Sequence, residues 1–280
     1  DLRTPLQDGA PVIARLLALA ACLLTPIAVG SDASAQGRGG EPGRFDFYVN
    51  AVVADGSRAV AGVGCGAWEV NLADGTWRQL HDETLTEVLT LAPSRHVPGV
   101  LAGCPYGIAS GAGVELGAVR WRFHGDALPV NGRYTNVLLR LEDGQYLAGT
   151  EAGAMVFDES TDRFVHTSLA GFPVRCAIAV GARLLAGSDG HGVWSSGDGV
   201  SWGPQGRGID DQTVLSLAWD GEALVAGTDR GVLVSRPDGS WRRCGPSALV
   251  AAVAADPSGS GRWLIGCRPA GLWWTEDAGA

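Results

Sequence analysis

Polar side chains able to do chemistry recur in this chain just behind apolar runs that contain glycine. Glu151, Ser188-Asp189, His191, Thr228-Asp229-Arg230 and Arg268 follow such runs, while Asp82-Glu83, Arg133-Tyr134, Asp210-Asp211 and Gln212 lie between them. Carboxylates beside guanidinium groups suit a ligand that carries charge or hydroxyl groups. Two carboxyl groups about 5 Å apart would suit a retaining glycosidase. A turn histidine such as His191, next to Asp189, is by itself usually a solvated side chain. Gathered around one depression, these residues would make a pocket for a ligand or peptide; scattered, they are solvated turns. The candidate binding set is Glu151, Asp189, His191, Asp229, Arg230, Arg268, Tyr134 and Asp211.

Other chemistries find no support in the spacing. Ser188-Asp-Gly-His-Gly192 lacks the alternating acids of a calcium loop. Neither Cys-x-x-Cys nor His-Glu-x-x-His occurs, and the glycine clusters precede strands rather than opening helices as phosphate loops do. No metal, cofactor or catalytic residue is expected. A net charge of −9 disfavours a nucleic-acid or anionic-membrane partner.

The elements that must position these residues follow from the glycines. Val60-Ala-Gly62, Leu101-Ala-Gly103, Leu147-Ala-Gly149, Leu185-Ala-Gly187, Val225-Ala-Gly227 and Leu264-Ile-Gly266 are copies of one another, and successive glycines are 41, 46, 38, 40 and 39 residues apart. A period near 40 made of short apolar runs indicates a β-propeller. Asp-Gly turns at Asp55-Gly56, Asp74-Gly75, Asp143-Gly144, Asp198-Gly199, Asp220-Gly221 and Asp238-Gly239 mark hairpins in four of the six repeats. The expected fold is all-β, with six four-stranded blades at 48–85, 86–131, 132–174, 175–212, 213–248 and 249–280. The tryptophans at Trp68, Trp77, Trp194, Trp202, Trp241 and Trp273 fall on third and fourth strands, where core packing is the expected role. The last repeat has no recognisable fourth strand. Arg44–Tyr48 would close the ring by pairing beside Gly271–Thr275, and the alternative is a truncated seven-bladed propeller.

Ser195-Ser-Gly-Asp-Gly-Val-Ser-Trp202 resembles the Asp-box of BNR-type propellers, Ser-x-Asp-x-Gly-x-Thr-Trp, with the aspartate one place late. Thr275-x-Asp277-x-Gly279 matches its first five positions, and Asp74-Gly-Thr-Trp77 and Asp238-Gly-Ser-Trp241 resemble shortened forms. The resemblance spans about 235 residues and is to the group that holds photosystem II assembly-factor-like propellers and sialidases. It implies that the aspartate ties the turn between strands three and four while the tryptophan packs between blades. From sialidases it implies an arginine cluster, drawn here from Arg133, Arg175, Arg230 and Arg268, and a tyrosine–glutamate nucleophile, for which Tyr134 is the candidate. The Arg-Ile-Pro motif of sialidases is absent, Arg44-Phe45-Asp46 being the nearest sequence.

The first 35 residues read as a secretory signal peptide: Arg15, the 14-residue apolar run Leu16–Val29, then Ala33-Ser34-Ala35. That run is short for a bilayer span. Leu19-Ala20-Ala21-Cys22 also matches a lipoprotein box, the less favoured reading. Residues 36–43 form a flexible linker and 44–280 the propeller. Cleavage before Gln36 leaves five cysteines, of which Cys244 and Cys267 are the first candidates for a disulfide, against the alternative of five buried thiols. The expectation is an exported, secreted or periplasmic, monomeric, non-catalytic propeller that binds a protein or small-molecule or glycan ligand. The alternative is a sialidase-like or other glycoside hydrolase acting at the same face.

Overall fold

The computed structural model describes residues 48–96, 98–115 and 118–279. The expected signal peptide, the linker and all of the Arg44–Tyr48 segment except Tyr48 lie outside these residues. The chain forms a six-bladed β-propeller. Blade one contains β1 (Val49–Asp55), β2 (Arg58–Val63), β3 (Gly66–Asn71) and β4 (Trp77–Gln79). Blade two contains β5 (Thr90–Pro93), β6 (Val100–Cys104), β7 (Gly107–Glu115) and β8 (Ala118–His124). A single helical turn, α1 (Val130–Arg133), leads to blade three: β9 (Thr135–Arg140), β10 (Tyr146–Thr150), β11 (Gly153–Asp158) and β12 (Arg163–Ala170). Blade four contains β13 (Val174–Val180), β14 (Arg183–Ser188), β15 (Val193–Ser196) and β16 (Gly203–Pro204). Blade five contains β17 (Val214–Trp219), β18 (Leu224–Thr228), β19 (Gly231–Ser235) and β20 (Trp241–Cys244). Blade six has three strands among the described residues: β21 (Leu249–Ala255), β22 (Trp263–Arg268) and β23 (Gly271–Thr275). Every sheet is an antiparallel meander in chain order.

The short strands form because tight turns interrupt the apolar runs every few residues. At Asp55-Gly56, for example, Gly56 takes φ +58°, a conformation that L side chains rarely adopt. The core lies between blades rather than within them. Five apolar clusters join blades one to two, two to three, three to four, four to five and five to six. The strand-two glycines allow this close packing. A Cβ on Gly149 would come within 2.6 Å of Val174, and one on Gly187 within 2.6 Å of Val214, each on the next blade's first strand. Among the described residues no such cluster joins blade six to blade one.

Each four-stranded blade sets one aromatic opposite the residue four places beyond its strand-three glycine. Trp77 faces Val70, Trp121 faces Gly111, Phe164 faces Phe157 and Trp241 faces Ser235. Trp202 continues the Ser195–Gly203 pairing by one step, to Ser196. Two of the indole N–H groups tie their rings to the preceding blade: Trp121 Nε1 donates to the Leu80 carbonyl at 3.1 Å and Trp241 Nε1 to that of Gln205 at 3.0 Å.

The candidate Cys244–Cys267 bridge is not formed, and the five described cysteines are free thiols, the alternative to that bridge. Both residues belong to the blade five–six core, but Cys244 ends the outer strand β20 while Cys267 sits on β22 beside Val250 and Gly271. The Cys244 sulfur packs against Gly279, where a Cβ would lie 3.3 Å from it. Burial pushes both thiols above their ordinary pKa, as expected for small apolar core groups.

Candidate functional site

The six first strands line the inside of the ring, and most carry the same irregularity. Pairing with strand two skips one residue near the start: Asn50 in β1, Asn136 in β9, Arg175 in β13, Leu215 in β17 and Ala251 in β21. A bulge re-aims the side chain at that position. Asn50 Nδ2 donates to the Val88 carbonyl at 2.8 Å, and Asn136 Nδ2 donates to that of Val174 at 3.2 Å, the equivalent position one blade on from its own. The same bulge in blade four carries Arg175.

Arg175 bridges two blades. Its Nη1 donates to Glu151 Oε1 at 2.5 Å on the β10–β11 turn, and its Nη2 to Asp189 Oδ2 at 2.7 Å on the β14–β15 turn. Asn136 Nδ2 also donates to Glu151, at 3.0 Å. Asp189 accepts a second bond from Thr213 Oγ1 at 2.8 Å, and the Thr213 amide donates to Asp229 at 3.1 Å. Arg230 reaches Asp211 at 3.0 Å, beside Asp229 at 3.6 Å. The belt therefore crosses blades three, four and five on the face that carries the strand-two turns. Equivalent backbone bonds hold the turns in place: the amides of Glu151, Asp189 and Asp229 donate to the carbonyls of Tyr134, Pro173 and Thr213.

The electrostatics follow from these contacts. Burial works against the charge of Arg175, but the bonds and charges of Asp189 and Glu151 outweigh it and raise the guanidinium above its ordinary value. The Arg175 bond, aided by that of Thr213, holds Asp189 below the usual carboxylate range. Asp211 is lowered first by Gln212 and then by Arg230. These carboxylates remain ionised at neutral pH, so they are acceptors and not proton donors.

Of the candidate residues, Glu151, Asp189, Asp229, Arg230 and Asp211 come together in this belt. His191 joins it differently: its ring stacks on Phe172 at 4.2 Å and 11°, its Nδ1 lies 2.8 Å from the Asp189 carbonyl, and its carbonyl accepts from Trp194 Nε1 at 3.0 Å. Phe172 also tilts against Trp194 at 5.4 Å, making a slab of three rings. Tyr134 contributes its carbonyl. Arg268 stands exposed at the end of β22, opposite Leu249. Arg133 turns away to the carbonyls of Leu128 and Asp126, so it is not part of an arginine cluster. Asn136, Thr213 and Phe172 were not read from the sequence as site residues. The available signal was a polar residue at the second position of an otherwise apolar first strand, as in Asn50, Asn136 and Arg175.

Two constellations elsewhere mimic catalytic sets. Tyr146 Oη lies 3.3 Å from Glu159, as in a tyrosine–glutamate nucleophile. It sits at the opposite face and donates to the Pro93 carbonyl at 2.9 Å, and burial followed by the Glu159 charge raises the phenol's pKa. An activated phenolate needs the reverse shift. Ser110 Oγ lies 2.8 Å from His124 Nε2, and His124 Nδ1 lies 2.6 Å from Asp162 Oδ1, the order of a nucleophile relay. Ser110 and His124 are only 6% and 4% exposed, and Asp162 belongs to the next blade, so the relay acts as a tie between blades two and three.

The turn between β15 and β16 is held by Asp198, which accepts from the amides of Val200 at 2.8 Å and Ser201 at 2.7 Å and from Ser196 Oγ at 3.0 Å. Ser196, not Ser195, is therefore the anchor, and Asp198 occupies the third place of the turn. The backbone bonds lower Asp198 to about 2. Thr275, Asp277 and Gly279 repeat the arrangement in blade six, with Thr275 Oγ1 bonded to Asp277 and the Gly279 amide donating to Asp277 at 3.2 Å. Among the described residues, no helix is long and apolar enough to cross a membrane, and no group of three or more His, Cys, Asp or Glu is placed to hold a metal.

No family model and no curated protein matches the chain. Solved structures do. The extracellular domain of a putative one-component system from B. thetaiotaomicron is similar with a TM-score of 0.65 at 18% identity, covering 85% of this chain and 34% of that one. The β-propeller domain of Myceliophteria thermophila Cps50 (Swd1) gives a TM-score of 0.63 at 12% identity over 81% of this chain and 83% of that one. The computationally designed Ika8 protein gives 0.62 at 15% over 83% and 72%. The fold is that of a β-propeller. The chain spans about a third of the length of the extracellular domain that it resembles.

Proposed function

We propose that this chain is an exported, non-catalytic propeller of the Asp-box kind that binds a protein or small ligand, glycans included, across its strand-two turns. The Arg175 node carries this reading. Three consecutive blades commit side chains to one hydrogen-bonded belt there, beside the Phe172–His191–Trp194 slab. Arg175 is neutralised by Glu151 and Asp189, so the belt offers fixed acceptors and an aromatic surface rather than a free cation. Hydroxyl and amide groups of a glycan or peptide match that surface. Export is supported by the signal-like residues 1–35 and by the extracellular setting of the B. thetaiotaomicron domain it resembles.

Against the glycoside hydrolase alternative stand the low pKa of Asp189, which removes a general acid, and the absence of Arg133 from the belt. The test is a glycan and peptide array probed with the wild-type chain and with Arg175→Ala. Binding that depends on Arg175, with no turnover of fluorogenic glycosides, is the expected result. Hydrolysis abolished by Glu151→Gln or Asp189→Asn would sink the non-catalytic reading, and ligand capture indifferent to Arg175 would move the site elsewhere.

A further inference from the structure

We infer that the face opposite the Arg175 belt carries a second site, at which Arg140 receives the carboxylate of a small monocarboxylic acid with an apolar body. Arg140 is the last residue of β9, where the β9–β10 turn begins. It stands opposite Tyr146, which lies three places before Gly149, the strand-two glycine of that blade. The same register position holds Ala54, Pro93, Ala179, Trp219 and Ala255 in the other five blades. Because first strands line the inside of the ring, these six residues surround its mouth on that face. Arg140 alone among them is charged.

The guanidinium has no counter-charge. Arg140 is half-buried, and its Nε is enclosed without a hydrogen-bond partner. Its two Nη atoms also bond to no described residue, but they are not enclosed. Arg58, Arg78, Arg122, Arg175, Arg230 and Arg262 each pair with a carboxylate, and Arg140 pairs with none among the described residues. Arg175 is the instructive contrast, since it too projects from a first strand and two carboxylates hold it. Glu159 shares the Tyr146 phenol, at 3.3 Å, yet both of its oxygens lie against Ser94 Oγ at 3.1 Å. A half-buried cation with an orphaned N–H is an unusual thing to leave unpaired. The two parallel N–H groups of the open Nη end match the two oxygens of one carboxylate.

Charge and surface together select the ligand. One guanidinium balances one negative charge, so a monocarboxylate ends neutral, whereas a phosphate dianion would keep a charge near Glu159. The rest of the mouth is carbon. Ala54, Pro93 and Ala179 are exposed there, and Trp219 and Ala255 are half-buried. With no second cation at this register, the body of the ligand is alkyl or aryl, which alanine, proline and indole can cover. The belt on the other face has the reverse character, fixed acceptors, so the two sites take different ligands.

Titration calorimetry of sodium benzoate into the full chain, with ionic strength held constant by sodium chloride, gives the first reading. Saturable binding in the millimolar range is expected. Acetate, which lacks the apolar body, and benzamide, which lacks the charge, should each bind about tenfold more weakly or worse. Arg140→Met removes the charge at similar length and should abolish benzoate binding while the circular dichroism stays unchanged. Should that variant fail to fold, Arg140→Lys keeps the charge without the planar fork and should weaken benzoate several-fold. Crystals grown with para-bromobenzoate should show the anomalous signal of bromine at the mouth beside Arg140. The inference is overturned if benzoate does not bind, or if benzamide or acetate binds as tightly. Phosphate binding tighter than benzoate, benzoate binding untouched by Arg140→Met or Arg140→Lys, or bromine found at the Arg175 belt would each overturn it as well.

Discussion

β19 in blade five and β23 in blade six occupy the same place in the repeat, yet among the described residues only β19 is covered. Val232 in β19 is fully buried between β18, β20 and the blade five–six core, whereas Leu272 in β23 is half exposed. Both strands start at a glycine with positive φ, and both follow an apolar strand two. Sequence within the strand is thus not what separates them; the presence of a neighbour is. A blade is stable only as part of a stack, because its apolar faces are satisfied by other blades and not by its own sheet.

That comparison can be broken or sharpened by substitution. Val232→Asp buries an unpaired charge in the blade five–six seam and should cost about 4 kcal/mol or more, while Leu272→Asp should cost well under about 1 kcal/mol. Chemical denaturation of the two variants at low protein concentration checks this, and equal losses would mean that blade six is as enclosed as blade five. His124→Ala removes the tie from blade two to Asp162 in blade three and should cost about 2–3 kcal/mol in the same assay. Gly187→Ala pushes a Cβ into Val214 and should cost about 1–3 kcal/mol. Gly64→Ala, at a turn with nothing within 4 Å, should stay within about 0.5 kcal/mol.

The smallest expected effect concerns acid. Asp198 has a folded pKa of about 2, below the ~3.9 of an unfolded aspartate, so the stability it adds is present above about pH 4 and fades as pH falls towards 2. Asp162 is also lowered, first by its His124 bond and then by the charges of His124 and Arg122, and adds to the same acid limb. Asp198→Asn should flatten part of the melting-temperature decline between pH 4 and 2 while leaving the value at pH 7 less affected. An unchanged acid limb would show that the turn aspartate is not linked to folding.

The repeat was legible because glycine spacing reports a steric need: Gly149 and Gly187 can be nothing larger without displacing Val174 or Val214. The hairpins were legible from Asp-Gly for the same reason. The belt was legible only in part. Glu151, Asp189 and Asp229 lie in turns whose register follows from the glycines, but Arg175 reaches them through a bulge, and a bulge leaves no mark in a pattern of alternating residues. The Cys244–Cys267 pairing was read from proximity in register, which says that two residues share a core but not which way a sulfur points. Ser110, His124 and Asp162 come from strands and turns of two blades, and no spacing in the chain announces them.

The seam without a core changes how the molecule comes apart. In a closed ring every unit is held on both flanks, so no unit can leave first. Among the described residues five of the six seams are filled, so this part of the chain behaves as a curved linear array with two ends. Its first and sixth blades should fray before the middle ones, as the terminal repeats of a solenoid do. The Arg175 belt spans blades three, four and five, in the part of the array that opens last.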